Sequence, residues 1–176
     1  KMGFSVYVQS NAGIGSSFTD EDYKKSGAKI SLKPKDLYNK ANLVVKIQRP
    51  SKHKEINEFS FLKECNLLTL LYEQKFKNEF NLLKKLKINV FALEKMPRIS
   101  RAQSMDVLSS QSNLSGYKAV IDAASEFNKA FPLMMTSAGT VAPAKVLIIG
   151  AGVAGLQAIA TAKRLGAVVS SFDVRE

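Results

Sequence analysis

Lys145-Val-Leu-Ile-Ile-Gly150-Ala-Gly152-Val-Ala-Gly155 is the stretch whose reading decides the fold. Its first five residues form a near-continuous apolar run, the pattern of a parallel strand buried on both faces. Three glycines follow in a Gly-x-Gly-x-x-Gly spacing. Leu156 to Leu165 reads as a helix and Gly166 stands at its C-cap. Ala167 to Phe172 is a second buried strand. Asp173 closes it, at the roughly 20-residue distance at which an acid follows such a turn.

Each part of this unit has a physical reason. Gly150 permits the tight turn from strand to helix. Gly152, between Ala151 and Val153, lacks a Cβ, so the main chain can approach a pyrophosphate. Gly155 lets the helix lie close on the strand. The anion then sits at the helix N-terminus, where N–H groups and the helix dipole favour negative charge. Asp173 would accept hydrogen bonds from an adenosine ribose and repel a 2′-phosphate, which favours NAD over NADP. A lone glycine spacing is weak; the strand before it, the helix after it, the second strand and the acid make it a dinucleotide reading.

Upstream, Thr136-Ser-Ala-Gly-Thr140 and Pro143 make a linker, and the domain boundary is expected near 131–143. Residues 1–131 then form one domain with a connecting helix, and 132–176 the first β-α-β unit of the nucleotide-binding domain. Met105 to Phe131 reads as one long helix, with Gly116 a weak breaker and Pro132 its end. Val107, Leu108, Leu114, Tyr117, Val120, Ile121, Ala124 and Phe127 give its core-facing stripe. Before it, strand and helix signals alternate. Phe4 to Val8 reads as a strand. Thr19 caps a short acidic-fronted helix that ends near Gly27. Ala28 to Leu32 and Leu43 to Ile47 are strands, Phe59 to Leu62 a weaker one, and Asn89 to Leu93 another. Asn66 to Lys87 has helical periodicity, broken near Gln74 to Asn78. The whole is α/β: two Rossmann-like parallel-sheet domains joined by a long helix.

Composition narrows the function. The chain of 176 residues is 45% hydrophobic and 23% charged, as in globular proteins. It has no apolar run of membrane-spanning length, and its start does not read as a signal peptide. Cys65, the one cysteine, has no internal disulfide partner, which fits a reducing compartment, and reads as a buried structural thiol. The net charge of +11 is spread along the chain with no basic stripe interleaved with stacking aromatics, so we read solvated lysines and no nucleic-acid surface.

The stretch from Pro143 to Val169 resembles the alpha-subunit family of proton-translocating NAD(P) transhydrogenases. So does Pro97-Arg-Ile-Ser-Arg-Ala-Gln-Ser-Met-Asp-Val-Leu-Ser-Ser-Gln-Ser-Asn-Leu-Ser-Gly-Tyr117. Gly13-Ile-Gly-Ser-Ser-Phe-Thr-Asp-Glu-Asp-Tyr23 and Val44-Val-Lys-Ile-Gln-Arg-Pro50 are similar to the same family. The resemblance implies the NAD(H)-binding component, which passes a hydride directly to or from NADP(H) on a partner component. A membrane component couples that transfer to proton movement. It further implies a homodimer in the complete protein, placed in the cytoplasm and held at the inner membrane by partner subunits. The family's Arg-Gln-Asp loop maps onto Arg98, Gln103 and Asp106, and its serine onto Ser109; these are implied to face the nicotinamide. On spacing alone they read as a polar helix start with a surface Asp–Arg pair. Gln103, Asp106 and Ser109, spaced by three, are expected on one helix face, with Arg98 able to pair with Asp106. Hydride transfer needs no acid or base from the chain, so none is assigned.

The family's chain starts earlier and runs past Glu176, so both domains are expected to be incomplete and the fragment poorly stable alone. That leaves two other readings. One is a truncated, non-catalytic remnant or docking piece. The other is an alanine dehydrogenase-like oxidoreductase. That related family has a second lysine where this chain has Gln48, and a histidine after the following strand, roughly where Lys63 falls. The single histidine, His53, reads as a surface residue.

Overall fold

The computed structural model describes residues 3–52 and 56–174. The chain divides into two compact units, residues 1–96 and 97–176.

In the first unit β1 (Tyr7–Gln9) pairs in parallel with β2 (Lys29–Ser31). Between them runs α1 (Asp20–Lys25), opened by a full capping box in which Thr19 and Asp22 satisfy each other's main-chain N–H groups. Helix α2 (Pro34–Lys40) is an addition to the expected elements; Pro34 occupies its first turn, where a missing N–H costs nothing. A second parallel sheet has the order β3-β4-β5, from β3 (Leu43–Gln48), β4 (Asn66–Leu70) and β5 (Asn89–Ala92), with α3 (Lys77–Lys85) crossing from β4 to β5.

Two expectations fail in this unit. Asn66 to Leu70 is the central strand of the sheet, not a helix. Leu67 and Thr69 are fully buried, and a short apolar run of this kind fits a buried strand as well as a helix segment. Phe59 to Leu62 forms no strand; Glu58–Ser60 is a 3₁₀ turn that drops Phe59 and Leu62, three residues apart, into the core. Cys65 is buried in that core, ahead of β4 rather than at a helix start. His53 lies outside the described residues.

In the second unit a 3₁₀ turn (Ser100–Met105) leads into α4 (Val107–Glu126). The expected linker holds a hairpin of β6 (Met134–Thr136) and β7 (Gly139–Val141). Then come β8 (Lys145–Ile149), α5 (Val153–Arg164) and β9 (Val168–Phe172), a βαβ step with β8 and β9 parallel. Helix α4 ends at Glu126, short of the expected Phe131, because Phe127 turns extended and its ring stacks edge-on to Phe131 at 5.9 Å.

The buried face of α4 also differs from expectation. Leu114, Tyr117 and Phe127 stand exposed, whereas Gly116 and Val120 are buried. Small residues face small residues: Val120 packs in one cluster with Ala158 and Ala162 of α5. A Cβ on Gly116 would lie 2.0 Å from the Ala154 carbonyl oxygen. Gly116 is therefore no breaker but the point at which two helices touch backbone to backbone. Strands β8 and β9 are covered on one face only. Val146, Ile148 and Val169 pack towards the helices, while Leu147, Ile149 and Phe172 are exposed on the other side. The second covering layer that full burial requires is not among the described residues.

Gly116→Ala is expected to destabilise this unit by about 2 kcal/mol, since main chain cannot give way as a flexible side chain would. Chemical denaturation measures it, with exposed Ser115→Ala as the control; equal midpoints for the two variants would refute the contact.

Candidate functional site

The carboxyl ends of β8 and β9 meet at the glycine turn. Gly150 has φ +100°, the left-handed conformation that an L side chain rarely adopts, and it turns the chain off the sheet. Gly155 comes back against it: a Cβ there would sit 1.8 Å from the Gly150 carbonyl oxygen. Strand, turn and helix are thus in main-chain contact. A depression of about 240 Å³ opens beside them, lined by Ile149, Gly150, Phe172, Asp173 and Val174.

Gly152 is the N-cap residue of α5 and has no side chain with which to cap it. Its first-turn N–H groups are those that a helix cannot satisfy internally, and they gather a partial positive charge at the turn. Lys163 and Arg164 in the last turn complement the opposite end of the dipole. Asp173 leans over the turn and accepts a hydrogen bond from the Ala151 N–H. A helix end without a side-chain cap from its N-cap residue, a turn that lacks Cβ atoms at Gly150 and Gly152, and a carboxylate held beside both can take a phosphate and a sugar diol side by side.

The residues expected at the nicotinamide end are placed differently from one another. Gln103 is exposed in the 3₁₀ turn, and Arg98 is exposed before it. Asp106 is the N-cap of α4, so Gln103, Asp106 and Ser109 do not share one helix face; the chain changes direction at Asp106 (φ −77°, ψ 85°). Only Asp106 and Ser109 meet. The Ser109 hydroxyl donates to Asp106 Oδ2 at 2.7 Å and the Ser109 N–H to Oδ1 at 3.0 Å. These bonds, the hydroxyl first, hold the Asp106 carboxyl below the usual aspartate range, and the nearby Arg98 charge adds to them. Arg98 and Asp106 form no ion pair. Asp106 lies ten residues before Gly116, about 15 Å along α4 from the contact with α5. One helix therefore connects the two groups of candidate residues.

In the first unit the positions that separate this chain from an alanine dehydrogenase are also visible. Gln48 is the exposed last residue of β3. The strand that follows is β4, so the position after it belongs to Leu71 and Tyr72; Lys63 precedes β4 and does not stand in the histidine's place. Lys46 is paired with Glu58, which also accepts from Tyr38 Oη at 2.9 Å and the Ser51 N–H at 2.9 Å. Burial raises the Glu58 carboxyl, but these partners outweigh it and hold the pKa low. Among the described residues no group of metal-ligating side chains occurs, and no helix is long and apolar enough to cross a membrane.

The sequence pattern of the alanine dehydrogenase/PNT N-terminal domain matches residues 1–115, and that of the C-terminal domain matches 119–176. The chain belongs to the alanine dehydrogenase/PNT family. Within it, an NAD(P) transhydrogenase alpha-subunit protein of Rhodospirillum rubrum is 53% identical over 180 residues, covering 99% of this chain and 46% of the relative. A transhydrogenase from Sinorhizobium meliloti of known crystal structure superposes with a TM-score of 0.92 at 48% identity, over 98% of this chain and 49% of that one. Alanine dehydrogenase of Methanococcus maripaludis is 30% identical over 176 residues, covering 98% of this chain and 46% of its own length. The chain spans about half the length of these family members.

Asp106 is expected to titrate below the ordinary aspartate value in a carbon-13 NMR titration. Because its pKa is lowered on folding, its cap contributes stability above the ordinary value, and that contribution is lost as pH falls through the lowered one. Ser109→Ala is expected to move the titration back towards the ordinary value; no movement would remove Ser109 as the cause.

Proposed function

We propose that this chain is the NAD(H)-binding part of a transhydrogenase. The observation that carries the reading is the N-terminus of α5, its N-cap Gly152 without a side chain, behind the Gly150 turn, with Asp173 held over it. The first turn of α5, with Ala151, Gly152 and Val153, receives the pyrophosphate; Gly150 makes the turn, Gly152 lets the main chain approach the anion, and Gly155 seats the helix on the strand. Asp173 takes the adenosine ribose and disfavours a 2′-phosphate. Arg98, Gln103, Asp106 and Ser109 stand at the nicotinamide end. The dinucleotide supplies the hydride carrier; the chain's task is to orient it and keep water away. In the complete assembly the exchange is with NADP(H) on a partner component, and a membrane component couples it to proton translocation. The likeness to transhydrogenase alpha subunits supports a place in a multi-subunit complex; a homodimer and a cytoplasmic position at the inner membrane complete this reading. In this reading residues 132–176 open the NAD domain, and α4 connects it to the domain before.

Alanine oxidation is the weaker reading. The chain has Gln48 in place of the second lysine and Tyr72, not histidine, after β4. A docking role is favoured by one observation, the exposed face of Leu147, Ile149 and Phe172.

NADH fluorescence with near-UV circular dichroism on the 176-residue chain tests the proposal. NADH binding without NADPH binding, in a sample with ordered tertiary signal, is expected. Asp173→Ala is expected to weaken NADH binding about tenfold or more, the worth of a charge-assisted hydrogen bond, and to narrow the gap to NADPH. Ordered protein that binds neither nucleotide would leave docking as the better reading. Unchanged selectivity in the variant would take Asp173 out of the ribose site.

A further inference from the structure

At four strand ends a main-chain N–H is met by a carboxylate of the same chain. After β1, Asn11 (φ +64°) donates to Asp20 Oδ1 at 2.8 Å, and Ser10 Oγ donates to Oδ2 at 2.6 Å. After β3, Ser51 donates to Glu58, and after β8, Ala151 donates to Asp173. After β4 the arrangement is doubled. The Leu71 N–H donates to Glu94 Oε2 at 3.0 Å and the Tyr72 N–H to Oε1 at 2.6 Å.

The Leu71–Tyr72 turn has features that one main-chain bond would not need. Tyr72 lies at φ +50°, a conformation unfavourable for an aromatic side chain, so something must hold it there. Consecutive N–H groups in a turn that reaches the left-handed region form a concavity for an anion. Two oxygens of one planar group bonded to two neighbouring N–H groups is the geometry of a bound carboxylate. Leu71 is 1% exposed, so water cannot replace the partner of its N–H at little cost. Glu94 reaches the turn from the 3₁₀ segment Leu93–Lys95, and the next residue, Lys95, pairs with Glu73 at 2.7 Å.

We infer that the Leu71–Tyr72 turn is a carboxylate-binding site that the chain fills with its own Glu94. While Glu94 stays, this strand end is closed to anionic ligands. Without it, the site takes a small monocarboxylate. This holds whether or not α5 binds a dinucleotide, because it rests on a different unit and different atoms.

The test is chemical rescue on the full chain, labelled with nitrogen-15. In the unsubstituted protein, sodium formate is expected to leave the Leu71 and Tyr72 amide resonances where sodium chloride of the same ionic strength leaves them. Glu94→Ala is expected to lower the unfolding midpoint. Formate should then raise that midpoint and shift both resonances saturably, while chloride does neither. If Glu94→Ala is unfolded in chloride, formate is expected to restore folding. Glu94→Gln keeps one acceptor and turns an amide donor towards the other N–H, so its midpoint should fall between the two. A variant indifferent to formate, equal formate shifts in the unsubstituted chain, or an unchanged Glu94→Gln midpoint would each overturn the inference.

Discussion

At Gly155 and Gly116 main chain touches main chain where a Cβ would otherwise stand, and the position of α5 follows from that. At Gly155 the helix closes on the Gly150 carbonyl; at Gly116 the neighbouring helix closes on the Ala154 carbonyl. Together they hold the first turn of α5 between β8 and α4. The glycine turn can present its N–H groups outward because both contacts keep the helix from sliding along the strand. The proposed nucleotide site depends on this: a helix dipole aids a ligand only if the helix end stays where the ligand arrives.

The second unit is largely legible from residue order, because glycines and a terminal acid leave a pattern with few other readings. Strand β8, helix α5, strand β9 and the placing of Asp173 all follow from it. Gly116 misleads because a glycine inside a helical pattern carries the same letter whether it weakens the helix or admits a neighbour. Its signal is the company it keeps: Gly116, Val120 and Ala124 recur every fourth residue, the spacing of a close-contact stripe. The leucines at 67, 68, 70 and 71 hide β4, since a strand with apolar residues on both faces shows no alternation in its sequence. The relation of Asp106 to Ser109 is legible as a spacing but not as a cap, because spacing alone does not say where a helix starts.

Glu58 and Glu94 are invisible in the sequence for another reason. Each is an acid in a polar stretch, and such acids are mostly solvated. Both accept from main-chain N–H groups at strand ends, which no side-chain pattern records. Yet they belong to the same physics as the glycine turn. A parallel strand that ends in a tight turn directs N–H groups outward, and an acceptor must answer them. In the first unit the answer comes from the chain itself. At α5 Asp173 answers the Ala151 N–H, and the N-cap residue, Gly152, brings no side chain to the turn beyond it.

The support beneath that turn is made of residues with almost no side chain. Ala158 and Ala162 of α5 share a core cluster with Val120, and Ala154 meets the bare backbone of Gly116. Alanine surrenders no rotamer freedom on burial, so this packing is assembled at little entropic cost. The same feature makes it brittle. A core of leucines and methionines can absorb an extra methyl group by changing rotamers, but alanines have none to change. Any added volume at this seam must therefore be passed to the backbone of α5, and through it to the loop that the helix carries.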